Sequence, residues 1–210
     1  MRDALDVLIE KKRIPTEDDA SAVVLTGDGS AYGMGLSATS AAIERGLDFL
    51  YLCYDNEGYG NTGQQSSGAT PHAARTATNA GGSGYRGFKK DLFAIWAAHE
   101  PAYVATVIGA EPLDLARKIE TAASLRGPRL ILALAPCPTG WDFDPKDLVE
   151  IGRLAVHTGI FPLKEYRDGK VTHTHVTRSR LPVEDYLSKQ GRFAHLFCPQ
   201  RNDAAIAEIQ

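Results

Sequence analysis

Cysteine is scarce in this chain. Its three residues, Cys53, Cys137 and Cys198, include no CxxC pair and cannot all join one another. A disulfide-stapled secreted scaffold fits this poorly, and a reducing cytoplasm is the expected setting. Long apolar runs are also missing. No purely apolar stretch exceeds the seven residues 92–98, far short of the roughly 20 residues a transmembrane helix needs, so no membrane partner is expected. Charge is close to balanced: 23 Lys and Arg against 26 Asp and Glu leave −3. No global field therefore draws the protein to nucleic acid or anionic lipid. No targeting segment is apparent. Residues 1–14 read as a short helix with Leu5, Leu8 and Ile9 on one face and Asp3, Asp6 and Glu10 elsewhere, which is not the pattern of a signal peptide. Lys11, Lys12 and Arg13 read as its solvated end.

What is present is an ordinary globular composition, 43% hydrophobic and 23% charged in 210 residues, which suits one α/β domain. Glycine is unevenly spread: residues 27–87 hold 13 of the 20. Such a segment suits backbone approaching a ligand, and it equally suits a loop with many turns. Short β-branched or apolar runs at 22–26, 49–54, 103–107 and 129–135 alternate with helical patterns at 34–45, 89–99 and 112–125. This predicts a mostly parallel sheet with helices on both faces. The stretch 55–87 is too long for a simple connector. After Pro136 the rhythm changes to a turn-rich passage, a helix near 146–157, a hairpin about Asp168-Gly169 and short C-terminal helices. The expected division is an α/β domain over 1–136 and an extension over 137–210, packed on it or on a partner subunit.

Thr26-Gly27-Asp28-Gly29-Ser30 stands at the carboxyl end of the first strand, where open α/β sheets bind ligands. Gly27 and Gly29 let phosphate oxygens approach the main chain at a helix start. Asp28 would repel a bare phosphate, and makes sense with a divalent cation between them. An ordinary turn reads the same way. After Gly29 come 26 residues and then Asn56, which puts Asp28 and Asn56 on one rim if the two strands are parallel neighbours. Mg²⁺ takes six oxygens, commonly including some from a diphosphate.

This GDG, spacer and Asn arrangement resembles the thiamine-diphosphate enzymes. The resemblance implies that Asp28, Asn56 and the carbonyl of Gly58 hold Mg²⁺, and that Gly27, Asp28, Gly29, Ser30, Asn56, Gly58, Asn61 and Thr62 bind the cofactor. A closer similarity follows. The run Asp55-Asn56-Glu57-Gly58-Tyr59-Gly60-Asn61-Thr62-Gly63-Gln64-Gln65-Ser66-Ser67 matches the DNExYxNTGxQxS segment of the 2-oxoacid:ferredoxin oxidoreductases. Gly87-Phe88-Lys89-Lys90-Asp91, Ala135-Pro136-Cys137-Pro138-Thr139-Gly140-Trp141 and Gln190-Gly191-Arg192-Phe193 continue it. From about residue 22 to the end the chain is similar to the β subunits of that family, most densely to those of pyruvate synthases.

The resemblance implies a three-layer α/β thiamine-diphosphate fold and oxidative decarboxylation of pyruvate or a related 2-oxoacid. The products would be acyl-CoA, CO₂ and reduced ferredoxin. It further implies α and γ or δ type partner subunits, one of them supplying the glutamate that activates the cofactor, so that the chain alone is inactive. Asn61 would lie by the reacting carbon as the catalytic polar side chain, where an amide can hold a carboxylate or a developing alkoxide without titrating. An Asx-type turn is its plainer role. Cys137 matches the last ligand of the family's [4Fe-4S] cluster. The other three ligands have no counterpart here, because no cysteine stands among the 26 residues before Gly27. That departure keeps two other readings open: a non-oxidative thiamine-diphosphate decarboxylase or synthase, and a non-catalytic cofactor-binding remnant.

Three further features carry less. Gly58 to Gly63 satisfies GxGxxG, but no helix pattern follows and no acidic residue stands about 20 positions on, as a dinucleotide site requires. His173 and His175 share a face of the expected hairpin and could bind a metal or simply be exposed; His72, His99, His157 and His195 show no partner. Lys89 and Lys90 read as solvated at a helix start, available to coenzyme A or ferredoxin.

Overall fold

The computed structural model describes residues 2–14, 21–176 and 179–209; Met1 of the expected N-terminal helix lies outside them. Its frame is a six-stranded sheet. The strands are β1 (Val23–Gly27), β2 (Phe49–Asp55), β3 (Tyr103–Ile108), β4 (Pro128–Leu134), β5 (Lys164–Arg167) and β6 (Lys170–His173), in the order β1-β2-β4-β3-β5-β6. The first four are mutually parallel. β5 joins β3 antiparallel through Val104–Tyr166 and Ala105–Glu165, and β6 closes the sheet as a hairpin. Its turn residues, Asp168 and Gly169, both have positive φ, 51° and 75°, which matches the twist of the two strands.

Strand burial explains this order. Every side chain of β3 is buried, and nearly every one of β4, as befits central strands covered on both faces. β2 alternates, with Phe49, Tyr51, Cys53 and Asp55 buried and Tyr54 exposed. α4 (Pro112–Ser124) starts with a proline in its first turn and lays Leu115, Ile119 and Ala122 over Tyr103, Ala105, Val107 and Ile131. The opposite face carries the larger core. There α2 (Leu36–Glu44), α3 (Leu92–Ala97), the single turn α5 (Pro138–Trp141) and α6 (Leu148–His157) pack with the C-terminal helices α7 (Val183–Leu187) and α8 (Asp203–Ile209) around Trp96, Trp141, Leu130 and Ile151. The result is three layers, helix on sheet on helix. α1 (Arg2–Glu10) precedes it.

Two helices begin elsewhere than the sequence suggests. The segment expected to turn helical at Met34 already coils as a π-helical turn over Gly29–Met34. The helix expected from Lys89 starts at Leu92, because the Asp91 carboxylate accepts the Ala94 N–H at 2.9 Å and caps it there. Between Asn56 and Asp91 no helix or strand forms, only an isolated bridge from Tyr59 to Gln65. No helix among the described residues is long and apolar enough to cross a membrane.

Candidate functional site

β1 and β2 are parallel neighbours, with Gly27 opposite Tyr54, so both leave the sheet at one rim. β1 runs into Asp28 and the π-helical turn, while β2 ends at Asp55 and opens the loop bearing Asn56, Glu57 and Gly58. Between them lies a cavity of about 210 Å³. Gly27, Asp28, Gly29, Ser30, Asn56, Gly58, Asn61 and Thr62 all line it, joined by Met34, Tyr54, Tyr59 and Gly60. The structure therefore brings together every cofactor-site residue singled out in the sequence. Met34 and Tyr54 were not among them; both are exposed and give the cavity an apolar flank.

Three oxygens converge at its floor. The Asn56 side-chain oxygen faces the Gly58 carbonyl and Asp28 Oδ1; turned over, the amide nitrogen would stand 2.7 and 2.8 Å from those two atoms. Oxygens that close to one another repel unless something positive lies among them. Adjacent ligands of an octahedral cation bound at 2.0–2.1 Å are themselves about 2.9 Å apart. One carboxylate, one amide and one main-chain carbonyl form a hard donor set suited to Mg²⁺. With the amide turned over, its nitrogen would instead donate to both. Asp28 is 1% exposed, and its Oδ2 accepts the Ser67 hydroxyl. Burial, then repulsion from Asp55, raises its pKa to about 6, so a cation here would replace a disfavoured charge with a ligated one.

Beneath this point lies a buried ionic network. Lys89 Nζ reaches Asp55 Oδ2 at 2.7 Å and Glu57 Oε1 at 2.8 Å, Arg192 Nη2 reaches Glu57 Oε2 at 2.7 Å, and Tyr32 donates its hydroxyl to Asp55 Oδ2 at 2.8 Å. Lys89 is thus no solvated helix-start lysine, and that expectation is corrected; Lys90 is exposed, as expected, with its Nζ donating to the Tyr32 carbonyl at 2.7 Å. Lys89's charge is drawn inward because without it Asp55 would have no cation and Glu57 only Arg192. Burial alone would favour a neutral Glu57, but Lys89 and Arg192 reverse this and hold it below its ordinary pKa. Burial keeps that of Asp55 raised despite Lys89. Three carboxylates, of Asp28, Asp55 and Glu57, thus share two cations, which again favours a third positive charge at the floor.

The loop geometry is tight. A Cβ on Gly29 would stand 2.2 Å from the Tyr59 ring, whose hydroxyl donates to the Gly29 carbonyl at 3.3 Å. Glu57 holds φ at +63°, a conformation that costs a non-glycine residue about 1–3 kcal/mol and persists where its surroundings over-determine it. The Thr62 hydroxyl donates to Gln65 Oε1 at 2.5 Å. The GxGxxG stretch is followed by the Tyr59–Gln65 bridge rather than by a helix, which removes the dinucleotide reading.

The cysteines lie apart in character: Cys53 is buried in β2, Cys137 is half-buried and accepts the Gly140 N–H, and Cys198 is exposed. Among the described residues no three His, Cys, Asp or Glu side chains gather as a metal group. His173 is exposed on β6, and the His175 ring meets that of His157 at 5.4 Å. The sequence reading missed the network itself. Its only trace was that Glu57, Lys89 and Arg192 all fall inside segments carrying the family resemblance.

Comparison with known proteins agrees with this geometry. Residues 11–133 match the family of thiamine pyrophosphate enzymes, C-terminal TPP-binding domain. Pyruvate synthase subunit PorB of Methanosarcina barkeri is 44% identical over 202 residues, 95% of this chain and 68% of that protein. The PorB subunit of Methanocaldococcus jannaschii is 44% identical over 210 residues, 99% of this chain and 69% of its own. Ketoisovalerate oxidoreductase subunit VorB of Pyrococcus abyssi is 41% identical over 189 residues, 88% of this chain and 61% of that one. A structure of the 2-oxoglutarate:ferredoxin oxidoreductase from Magnetococcus marinus, with 2-oxoglutarate, coenzyme A and succinyl-CoA bound, matches 88% of this chain and 65% of its own. Its TM-score is 0.55 at 20% identity, which shows a common fold. With a thiamine-diphosphate domain and such identity over nearly its whole length, the chain belongs to the PorB/VorB family of 2-oxoacid:ferredoxin oxidoreductase subunits.

Proposed function

We propose that this chain is the thiamine-diphosphate-binding catalytic subunit of an oxidoreductase that converts a 2-oxoacid and coenzyme A to acyl-CoA and CO₂, passing two electrons to ferredoxin. Pyruvate is the favoured substrate, from the PorB relatives. The observation that carries the reading is the convergence of Asp28, the Asn56 side chain and the Gly58 carbonyl beside a glycine-lined cavity at the carboxyl ends of β1 and β2. Asp28, Asn56 and Gly58 would hold Mg²⁺, with Gly27, Gly29, Ser30 and Thr62 around the diphosphate. The cofactor, when bound, supplies a nucleophilic carbon and an electron sink for decarboxylation.

The residues of this chain supply position and field. Gly27 and Gly29 keep side chains out of the way of the diphosphate. Asn61 presents an amide that orients the substrate carboxylate or stabilises charge developing on its carbonyl oxygen, and it stays neutral throughout. Tyr54 and Met34 exclude water from one flank. Partner subunits, α and γ or δ in type, complete the enzyme, and Cys137 is the residue of this chain that would ligate an iron–sulfur cluster.

Calorimetry tests the core of this reading. Thiamine diphosphate should bind only with Mg²⁺ present, and Asp28→Ala should abolish that dependence along with most of the affinity. Equal affinity in the variant and the natural chain would remove the cation assignment.

A further inference from the structure

The residue between the two loop ligands is the one most tightly held. Glu57 donates its N–H to Asp55 Oδ1 at 3.0 Å and accepts the Thr70 hydroxyl on its carbonyl at 2.9 Å. Its two carboxylate oxygens take Lys89 at 2.8 Å and Arg192 at 2.7 Å. Arg192 is in turn fixed: it donates to Gln190 Oε1 at 2.8 Å, and its guanidinium lies 4.0 Å from the Trp141 ring. Trp141 closes the circuit by donating its indole N–H to the Asn56 carbonyl at 2.8 Å. The Asn56 carbonyl and the Glu57 carboxylate are thus gripped by residues 85 and 135 positions downstream.

Such a clamp is poorly explained as a stabilising device. Buried ion pairs seldom add net stability over apolar groups of the same size, and this one holds a residue in a left-handed conformation that a glutamate avoids. That conformation stands between Asn56 and Gly58, whose side chain and carbonyl meet Asp28 at one point. We propose that Glu57, clamped by Arg192 and Lys89 and braced through Trp141, is a positioning residue that sets the cation site. The proposal rests on the cation reading above and deepens it. It makes the segment after residue 136 part of the site, although none of its residues lines the cavity.

Mn²⁺ binding tests it, with Mn²⁺ standing in for Mg²⁺. The chelator-stripped chain is titrated with Mn²⁺ in excess thiamine diphosphate, and free Mn²⁺ is counted by electron paramagnetic resonance. Glu57→Met combined with Arg192→Met deletes both charges together. It should keep the native circular dichroism and lose about 10–100-fold in Mn²⁺ affinity, the usual effect of disturbing groups that orient ligands. Trp141→Phe deletes one N–H while keeping a ring under Arg192 and should lose about fivefold. A merely structural role would lower the unfolding temperature and leave affinity, measured well below it, unchanged. A folded double variant with the natural affinity overturns the proposal. If the double variant does not fold, Trp141→Phe decides alone, and natural affinity there overturns it. A natural chain that takes up no Mn²⁺ removes the cation reading, and this inference with it.

Discussion

Asp28→Asn offers a test in which loss of function and gain of stability should appear together. Asp28 is buried, and its pKa rises from an ordinary 3.8 to about 6. Between these values the unfolded chain has released the proton while the folded chain keeps it, so stability falls as pH rises through the window and the full cost stands above pH 6. About two pKa units at 1.36 kcal/mol each amount to roughly 3 kcal/mol at pH 7.5, and about 1 kcal/mol at pH 4.5. An asparagine has no such cost, and its amide oxygen can still accept the Ser67 hydroxyl. The raising owes most to burial and then to Asp55, and both effects vanish with the charge. For a chain of this size 1 kcal/mol moves Tm by about 2–4 °C, so in chelator the variant should melt about 6–12 °C above the natural chain at pH 7.5. Near pH 4.5 the gap should shrink to about a third. Mg²⁺ with thiamine diphosphate at 100 times its Kd should then add about 2.7 kcal/mol to the natural chain alone. Thermal unfolding followed by circular dichroism reads all three. An asparagine variant no more stable than the natural chain at pH 7.5, or equally favoured at both pH values, would refute the reasoning.

Four other outcomes are expected. Asn61→Ala should lower kcat by ~10²–10³-fold in the assembled enzyme while leaving cofactor affinity near its natural value; unchanged kcat would remove Asn61 from the chemistry. Gly29→Ala forces a methyl into the Tyr59 ring and should cost about 1–3 kcal/mol, read from the urea midpoint, which must move for the packing argument to stand. Lys89→Met leaves Asp55 and Glu57 with Arg192 alone and should destabilise by about 3–5 kcal/mol, whereas a solvated Lys89 would show almost no change. The 210-residue chain, purified anaerobically by itself, should hold no stoichiometric [4Fe-4S] cluster, since such clusters take four thiolates and Cys53 is buried within the sheet. About four irons per chain would overturn that.

The parts of the site that could be read in the sequence are those set by local order. Asp28 and Asn56 were legible because each directly follows a strand, and strands joined by one helix tend to lie side by side and parallel. The strand order was less accessible, since nothing in the chain says that β4 inserts between β2 and β3. The Glu57 conformation was hidden because glutamate is a poor guess for positive φ. It is dictated by partners 32 and 135 residues away, a relation that no periodicity encodes. Lys89 was misread for the same reason: two lysines before a helical pattern look solvated until the fold places Asp55 and Glu57 beneath one of them. Gly29 could be seen as a place for phosphate, but the Tyr59 ring that forbids any side chain there could not.

The span of the Glu57–Arg192 contact also bears on how the protein is made. The strands that Asp28 and Asn56 directly follow are both complete by residue 55 and can pair early, at the small entropic cost of a short loop. Arg192 is made 137 residues after the end of β2, and Trp141 86 residues after it. A nascent chain therefore passes through a long interval with its ligands roughly assembled and the turn between them unlocked. If the proposed clamp sets the cation site, uptake waits on Arg192, and a chain interrupted before that residue would carry the GDG and Asn signature yet compete poorly for Mg²⁺.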